Sequence, residues 1–336
     1  MLLIKKSWAV FVYATTISVE SILIEFLVTT LHIPPILIAA LSITLGGILL
    51  LLVKVLVLDR KDGRRSTDRK GIHIFSGSNR TLVYASLALS VGVFTWYDSI
   101  GRIGASKEVL LAGPLEVTLI VILACVFLKE RLDKIHITGI IVAITGFLIA
   151  ILSDAGSINA ILVSNSTPIV TLGEIEAIIS ALGFAVGVLF LTKLLLKHSP
   201  VEVAGTSLFV SGLFLIGILL IIFAASGFPF IPGFSFPDVL NAFVILTLFS
   251  LLPFLGALSY SVGISKIGPS LTGTIGASTI VITLACQISL KELGIMIGNL
   301  PVNVLLAGLG SVFGFLGVVI IHMHDYYFGY PSPAEK

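Results

Sequence analysis

Charged residues are scarce in this chain of 336 residues, and that scarcity decides which class of protein it is. Only 11% of the residues are Asp, Glu, Lys or Arg, whereas 57% are hydrophobic and the mean hydropathy is +1.13. A soluble domain of this size carries about 25% charged residues. The composition therefore excludes an ordinary water-soluble domain and indicates an integral membrane protein.

Motifs for catalysis and cofactor binding are also missing. The sequence holds no HExxH, no GxSxG, no Asp-rich prenyl-diphosphate motif and no glycine-rich phosphate loop. The two cysteines, Cys125 and Cys286, fall near opposite membrane faces, which excludes a disulfide between them. We therefore predict no enzyme, no cofactor and no metal site. The basic loop 59–80 is too short for nucleic-acid binding and is typical of an inner membrane face, where it can contact lipid headgroups.

Ten apolar stretches fill nearly the whole chain. Bilayer hydrocarbon is ~30 Å thick and a helix rises ~1.5 Å per residue, so ~20 apolar residues span it. Backbone N–H and C=O groups in lipid must be paired within the segment, so each stretch is predicted to be a helix. The predicted spans are roughly 8–30, 36–58, 81–100, 106–128, 135–153, 171–193, 202–225, 239–263, 270–290 and 302–323.

The distribution of Lys and Arg predicts the orientation. If the N-terminus lies inside, 16 of the 20 basic residues fall on the inner side, three fall outside, and Lys54 lies near the inner end of the second span. This asymmetry is the one expected of a plasma-membrane protein with both termini in the cytoplasm.

Two halves of the chain are related in sequence. Residues 101–106 (GRIGAS) and 265–270 (SKIGPS) each precede an apolar helix, which is followed by Lys-Glu at 129–130 and 291–292. Five spans per half is an odd number, so the second half enters the membrane from the opposite side. The predicted fold is an all-α integral membrane protein whose ten transmembrane helices form two inverted five-helix repeats, with a cavity between them near the midplane.

The stretch 96–152 resembles the EamA-type repeat of the drug/metabolite transporter superfamily. The resemblance rests on the small-residue turn 104–106, the mid-helix Pro114, the terminal Glu130 and the glycine-spaced helix that follows, and residues 259–321 resemble it more loosely. It implies movement of small metabolites without ATP hydrolysis. The implied division is a first repeat at 1–153, an outer linker at 154–170, a second repeat at 171–325 and a cytosolic tail at 326–336.

Carboxylates within spans are the leading candidates for a binding site, because an ionisable side chain in lipid is costly. Glu116 lies near the middle of the fourth span, just after Pro114, which would kink that helix. We predict that Glu116 binds substrate or a proton. The alternative is a neutral glutamic acid that is hydrogen-bonded between helices.

The first span carries two acids, Glu20 and Glu25, which are about 140° apart around the helix. One polar stripe contains Tyr13, Thr16 and Glu20, and the other contains Ser18, Ser21, Glu25, Thr29 and His32. Only one stripe can face the cavity squarely. Glu20 is nearer the midplane and is favoured, while Glu25 serves either the cavity or helix packing.

Two further groups of polar residues are candidates. The outer ends of the third and fourth spans hold Trp96, Tyr97, Asp98, Arg102, Lys107 and Glu108, which form either an interfacial belt with exposed ion pairs or an outer vestibule. Thr279 and Thr283 belong to a polar face of the ninth span that serves either the cavity or helix packing.

These residues predict a secondary transporter that works by alternating access. Its acidic lining favours a cation, amine or zwitterion as substrate, and Glu116 and Glu20 would couple proton exchange to transport or bind the cationic group directly. The alternatives are an uncoupled facilitator or channel and an intramembrane enzyme, because the acids lie on different helices and an unrecognised site could join them.

Overall fold

The structure is a computed structural model that describes residues 2–58, 79–128, 134–153, 171–226, 236–295, 301 and 303–328. The described part consists of helices joined by short connections and contains no strand. The predicted linker 154–170 and most of the predicted tail 326–336 lie outside it. The helices are α1 (Leu2–Thr29), α2 (Pro35–Val53, continued by a π-helical turn at Lys54–Leu58), α3 (Asn79–Ile103), α4 (Ala105–Leu128), α5 (Lys134–Leu152), α6 (Leu172–Leu195), α7 (Pro200–Ser226), α8 (Phe236–Phe249), α9 (Leu251–Ile267), α10 (Pro269–Gly276), α11 (Ser278–Glu292) and α12 (Val304–Phe328).

The helices form where the apolar stretches predict them. Within the described residues, five segments are long and apolar enough to cross a membrane: Trp8–Thr29, Pro35–Leu56, Leu172–Leu195, Pro200–Ala225 and Phe243–Ile267. Two shorter apolar segments are Ile137–Leu152 and Val304–Ile320. The all-helical, membrane-type part of the sequence prediction is confirmed.

Two of the predicted spans are interrupted. The eighth is divided into α8 and α9 at Ser250, and the ninth into α10 and α11 at Ala277. Both residues keep a right-handed helical backbone, with φ −60°, ψ −16° at Ser250 and φ −61°, ψ −14° at Ala277. Pro253 explains the first break, because its missing N–H leaves the carbonyl four residues earlier, at Phe249, without a helical partner. The two helices of each interrupted span, α8 with α9 and α10 with α11, still follow one another in the same direction.

The main helix pairs join the first half of the chain to the second. The most extensive pairings are α5 with α12, α3 with α6, α2 with α7 and α1 with α9. The largest apolar core lies among α1, α2, α3 and α7, where Ile38, Tyr97, Ile100 and Leu215 are fully buried. The two halves therefore share one interface along their length.

Small residues allow α5 and α12 to approach at backbone distance. A Cβ added to Gly146 would lie 2.7 Å from both the Gly310 carbonyl oxygen and the Gly314 Cα. Both neighbours are main-chain atoms, so they cannot rotate away. Lipid tails are as apolar as the helix surfaces, so the hydrophobic effect does not bring helices together within the membrane. Close van der Waals packing of this kind stabilises the helix pair instead.

We expect Gly146→Ala to destabilise the protein by about 1–3 kcal/mol, because one methyl group must push α5 away from α12. Thermal unfolding in detergent measures the change. Gly308→Ala, on α12, is the matched control, since no atom lies within 4 Å of its added Cβ. The control should be neutral or stabilising because Ala favours helix over Gly by about 1 kcal/mol. Equal stability of the two variants would contradict the packing argument.

Candidate functional site

A cavity of about 170 Å³ lies between the two halves, in the middle of the bundle. Residues of α1, α2, α3 and α4 line it from the first half, and residues of α6, α7, α9, α10 and α11 line it from the second. Its walls are mostly apolar and include the aromatic rings of Tyr13, Trp96, Phe184 and Tyr260. An apolar cavity with a few polar groups is the usual form of a small-molecule site.

Three carboxylates face this cavity: Glu20, Glu108 and Glu116. Glu108 and Glu116 stand eight residues apart on α4, with Ala112 between them at the shared i+4 position, and all three line the wall. None of the described lining residues is Lys, Arg or His. The cavity therefore offers three carboxyl groups and no basic side chain from its described lining.

Glu20 is held by an aromatic residue behind the wall. The Tyr97 hydroxyl donates to Glu20 Oε1 at 2.7 Å, and the Ser42 hydroxyl lies 3.5 Å from the same phenol oxygen. Glu20 is 1% exposed, and its Oε2 has no hydrogen-bond partner among the described residues. Tyr97 is fully buried and does not line the cavity, so it orients Glu20 from behind and does not meet a ligand directly.

Glu108 has the same arrangement. Trp96 Nε1–H donates to Glu108 Oε2 at 2.9 Å, and Glu108 Oε1 has no hydrogen-bond partner in the described part of the chain. Glu108 is 1% exposed and Trp96 7% exposed, so both are buried. Unlike Tyr97, Trp96 also lines the cavity.

Glu116 lies further along α4 and lines the cavity together with Tyr13 and Tyr260, whose rings are in contact at a tilt of 40° with centroids 4.6 Å apart. It makes no hydrogen bond or ion pair with the residues described. The helix continues through Pro114, and the Thr118 hydroxyl donates to the Pro114 carbonyl at 2.8 Å. Pro114 itself faces α12, where a Cβ on Gly314 would lie 2.7 Å from the proline ring.

Glu25 belongs to the packing and not to the cavity. Its Oε2 accepts the Ala105 backbone N–H at 2.9 Å and the Gln287 side-chain N–H at 2.5 Å, and Glu25 is fully buried. Gln287 in turn accepts the Ser106 backbone N–H at 3.2 Å and the Ser106 hydroxyl. A carboxylate thus caps the N-terminus of α4 and ties α1, α4 and α11 together. Of the two acids on α1, Glu20 lines the cavity and Glu25 does not.

Two buried ion pairs also join the halves. Lys107 Nζ lies 2.7 Å from Glu174 Oε1, and the two side chains are 3% and 4% exposed. Glu174 Oε2 accepts the Thr171 N–H at 2.6 Å and completes a capping box at the start of α6. On the predicted inner side, Lys54 Nζ lies 3.4 Å from Glu202 Oε2.

The six polar residues at the outer ends of α3 and α4 divide into separate groups. Asp98 accepts two hydrogen bonds from Arg102, at 3.0 and 2.9 Å, and Arg102 also contacts Glu176 at 3.0 Å. Arg102 is about half exposed, so this part is the exposed ion pair of the interfacial alternative, away from the cavity. The belt interpretation is wrong for the buried residues of the group: Trp96, Tyr97, Lys107 and Glu108.

The predicted threonines also separate. Thr279 lines the cavity, with its hydroxyl donating to the Gly276 carbonyl at 2.5 Å. Thr283 is fully buried outside the cavity. Thr16 does not line the cavity either and is buried near Gly256 of α9, while Ile17 takes its place in the wall.

Sequence reasoning missed the role of Glu108 and of most of the second-half lining, with Thr279 as the exception. Glu108 was grouped with the outer end of α4, although its i, i+4, i+8 relation to Ala112 and Glu116 was a readable signal. Ser180, Phe184 and Tyr260 gave no such signal, because nothing in α6 or α9 alone indicates which neighbour a small or aromatic residue faces. Among the described residues, no three His, Cys, Asp or Glu side chains group closely enough to hold a metal ion.

Comparison with known proteins shows that part of the chain is similar to a protein family. Residues 5–152 match the sequence model of the EamA-like transporter family. The matched stretch covers most of the first half of the chain, so this half is similar to the EamA-like transporter family. The EamA-like unit thus comprises α1 to α5, and the resemblance to the drug/metabolite transporter superfamily is confirmed. The family indicates a multi-pass membrane transporter of small molecules.

Solved structures extend the likeness of fold beyond the EamA-like unit. One crystal structure, described only as that of a protein, covers 94% of this chain and 99% of its own, with a TM-score of 0.58 and 16% identity. At that identity the match concerns the fold alone. No protein with a curated description matches the chain.

Proposed function

We propose that the chain is a secondary transporter that carries a small cation, amine or zwitterion across the plasma membrane by alternating access. In this proposal ten spans form two inverted five-helix repeats, at 1–153 and 171–325, and both termini are cytoplasmic. The excess of Lys and Arg on the predicted inner side supports the orientation. Glu116 and Glu20 bind the cationic group or exchange protons with it.

The pattern of helix packing supports the inverted repeat. Counting α8 with α9 and α10 with α11 gives ten spans, in which each first-half span has a counterpart five spans later. In the pairs α2–α7 and α5–α12, each helix packs against its own counterpart in the other half. The pair α3–α6 joins the third span to the sixth, and its equivalent under exchange of the halves joins the eighth span to the first, which is the observed contact of α9 with α1. A two-fold relation between the halves has this property. The cavity then lies on the pseudo-axis, where rocking of the halves can open it to either side.

The observation that carries the proposal is the acidic lining of the cavity. Three glutamates and no described basic residue line a mostly apolar space. Buried carboxylates without a counter-charge are costly, and a cationic ligand provides that charge. A phosphate or carboxylate substrate would meet like charge, so the lining disfavours it.

The test is transport by purified protein in proteoliposomes, with Glu116→Gln beside the wild type. We expect the rate of uptake of a cationic substrate to be about ten-fold or more lower in the variant. The reason is that the substitution removes a charge-assisted contact between Glu116 and the substrate, which contributes about 1.5–3 kcal/mol. Glu292→Gln, at the exposed end of α11, is the matched control and should transport normally. Uptake that is unchanged in Glu116→Gln would remove Glu116 from the mechanism.

An imposed pH gradient separates coupled from uncoupled transport in the same vesicles. Proton movement that depends on substrate and is lost in Glu116→Gln supports proton coupling. Substrate flux that is the same with and without the pH gradient supports the uncoupled facilitator.

A further inference from the structure

Two of the cavity carboxylates are built in the same way. Glu20 and Glu108 each receive one hydrogen bond from neighbouring aromatic residues of α3, Tyr97 and Trp96, on one oxygen only. The other oxygen of each has no partner among the described residues, although both side chains are 1% exposed. The unpartnered oxygens belong to residues that line one cavity.

This arrangement prepares each carboxylate for a ligand. An indole N–H can only donate, and the phenol O–H donates to Glu20, so each bond fixes the orientation of a carboxyl group. A buried polar atom without a partner costs about 1–3 kcal/mol, which a ligand that supplies a donor recovers. Because Glu20 and Glu108 each have one carboxyl oxygen without a partner among the described residues, a ligand with two hydrogen-bond donors would satisfy both residues.

The third carboxylate strengthens the case for more than one positive charge. Glu116 lines the same cavity as Glu20 and Glu108, and it lies eight residues from Glu108 on α4. A ligand with a single positive charge would leave buried acidic groups uncompensated. A ligand with an ammonium group at each end would meet Glu20 on α1 and the pair on α4.

We infer that the cavity takes a diamine, and that Glu108 is the further carboxylate that selects the second amino group. The inference rests on the proposed function, because it names the substrate class of the same cavity. The wall of the same cavity also includes Ala112, Gly113 and the Tyr13 and Phe184 rings, which suit a short methylene chain.

The experiment compares butylamine with diaminobutane by calorimetric titration of the full chain in detergent. We expect the wild type to bind the diamine about ten-fold or more tightly than the monoamine. Glu108→Gln should lose most of that preference, so that the ratio of the two affinities approaches one. The amide oxygen of the glutamine still accepts the Trp96 N–H, so the variant should fold, and Glu108→Asp should keep part of the preference.

Several outcomes separate this inference from the function on which it rests. Glu292→Gln, the exposed control, should keep the wild-type ratio. Equal affinity of the wild type for both amines, or an unchanged ratio in folded Glu108→Gln, would overturn the diamine inference and leave a cation site standing. Binding of neither amine to folded wild type would overturn the cationic substrate as well. A series from diaminopropane to diaminohexane should show an optimum length if both ends are bound.

Discussion

The Lys107→Met variant is expected to lose about 3–5 kcal/mol of stability, a drop in melting temperature on the order of 10 °C. Lys107 pairs with Glu174 at 2.7 Å where both side chains are at most 4% exposed. Removing the ammonium leaves the Glu174 carboxylate buried without its counter-charge, and that desolvated charge dominates the cost. Thermal unfolding in detergent, followed by size-exclusion chromatography, measures it.

A double variant tests the cause. Adding Glu174→Gln removes the uncompensated charge, while the amide oxygen can still accept the Thr171 N–H. We expect the double variant to recover most of the lost stability, because replacing a buried ion pair as a whole is often neutral. Lys291→Met, an exposed lysine on the same predicted side, is the control and should change little. A double variant no more stable than Lys107→Met would contradict this account.

The second large effect is expected at Glu25. Glu25→Ala should cost about 2–6 kcal/mol, because the Ala105 N–H and the Gln287 side-chain N–H would each be left buried and unpaired. Glu25→Gln keeps an acceptor oxygen at the same place and should cost distinctly less. Unfolding curves of the two variants, with the exposed Glu292→Ala as control, measure the difference.

Transport measurements on the same variants distinguish Glu25 from Glu20. Folded Glu25→Gln should retain more transport than Glu20→Gln, since Glu25 lies outside the cavity that Glu20 lines. Full activity in Glu20→Gln with loss in Glu25→Gln would reverse the assignment of the two acids.

Both large effects fall on contacts between the halves at the predicted outer end. Alternating access requires such contacts to break and re-form during each cycle. A buried ion pair suits this use, because its desolvation cost nearly offsets its attraction, so that the net free energy of the intact pair is small. The Lys54–Glu202 pair stands at the predicted inner end, and both pairs are formed in this structure.

Much of the fold follows from hydropathy alone. Lipid leaves the backbone no partners outside the segment, so ~20 apolar residues specify a helix whatever their neighbours are. The helices accordingly appear at the predicted spans, within a few residues. The sequence analysis predicts neither interruption: Pro253 accounts for the one at Ser250 once the structure is known, and the one at Ala277 has no comparable residue.

Periodicity narrowed the candidate site without completing it. Spacing separated Glu20 from Glu25 into two stripes, and it placed Glu116 at the middle of its span. The sequence could not say which stripe faces the cavity, because that depends on the neighbour each stripe meets. Gln287 and the N-terminus of α4 meet Glu25, whereas the cavity and Tyr97 meet Glu20.

By itself, the sequence determined the membrane class, the helices, the resemblance to EamA-like transporters and two of the three cavity carboxylates. Only the tertiary structure decided that Glu108 and Trp96 face the cavity, that Tyr97 stands behind Glu20, and that Asp98 points away from it. The reason is physical. Helix formation in lipid depends on local composition, whereas the exposure and partners of a side chain depend on helices up to 262 residues away in the chain.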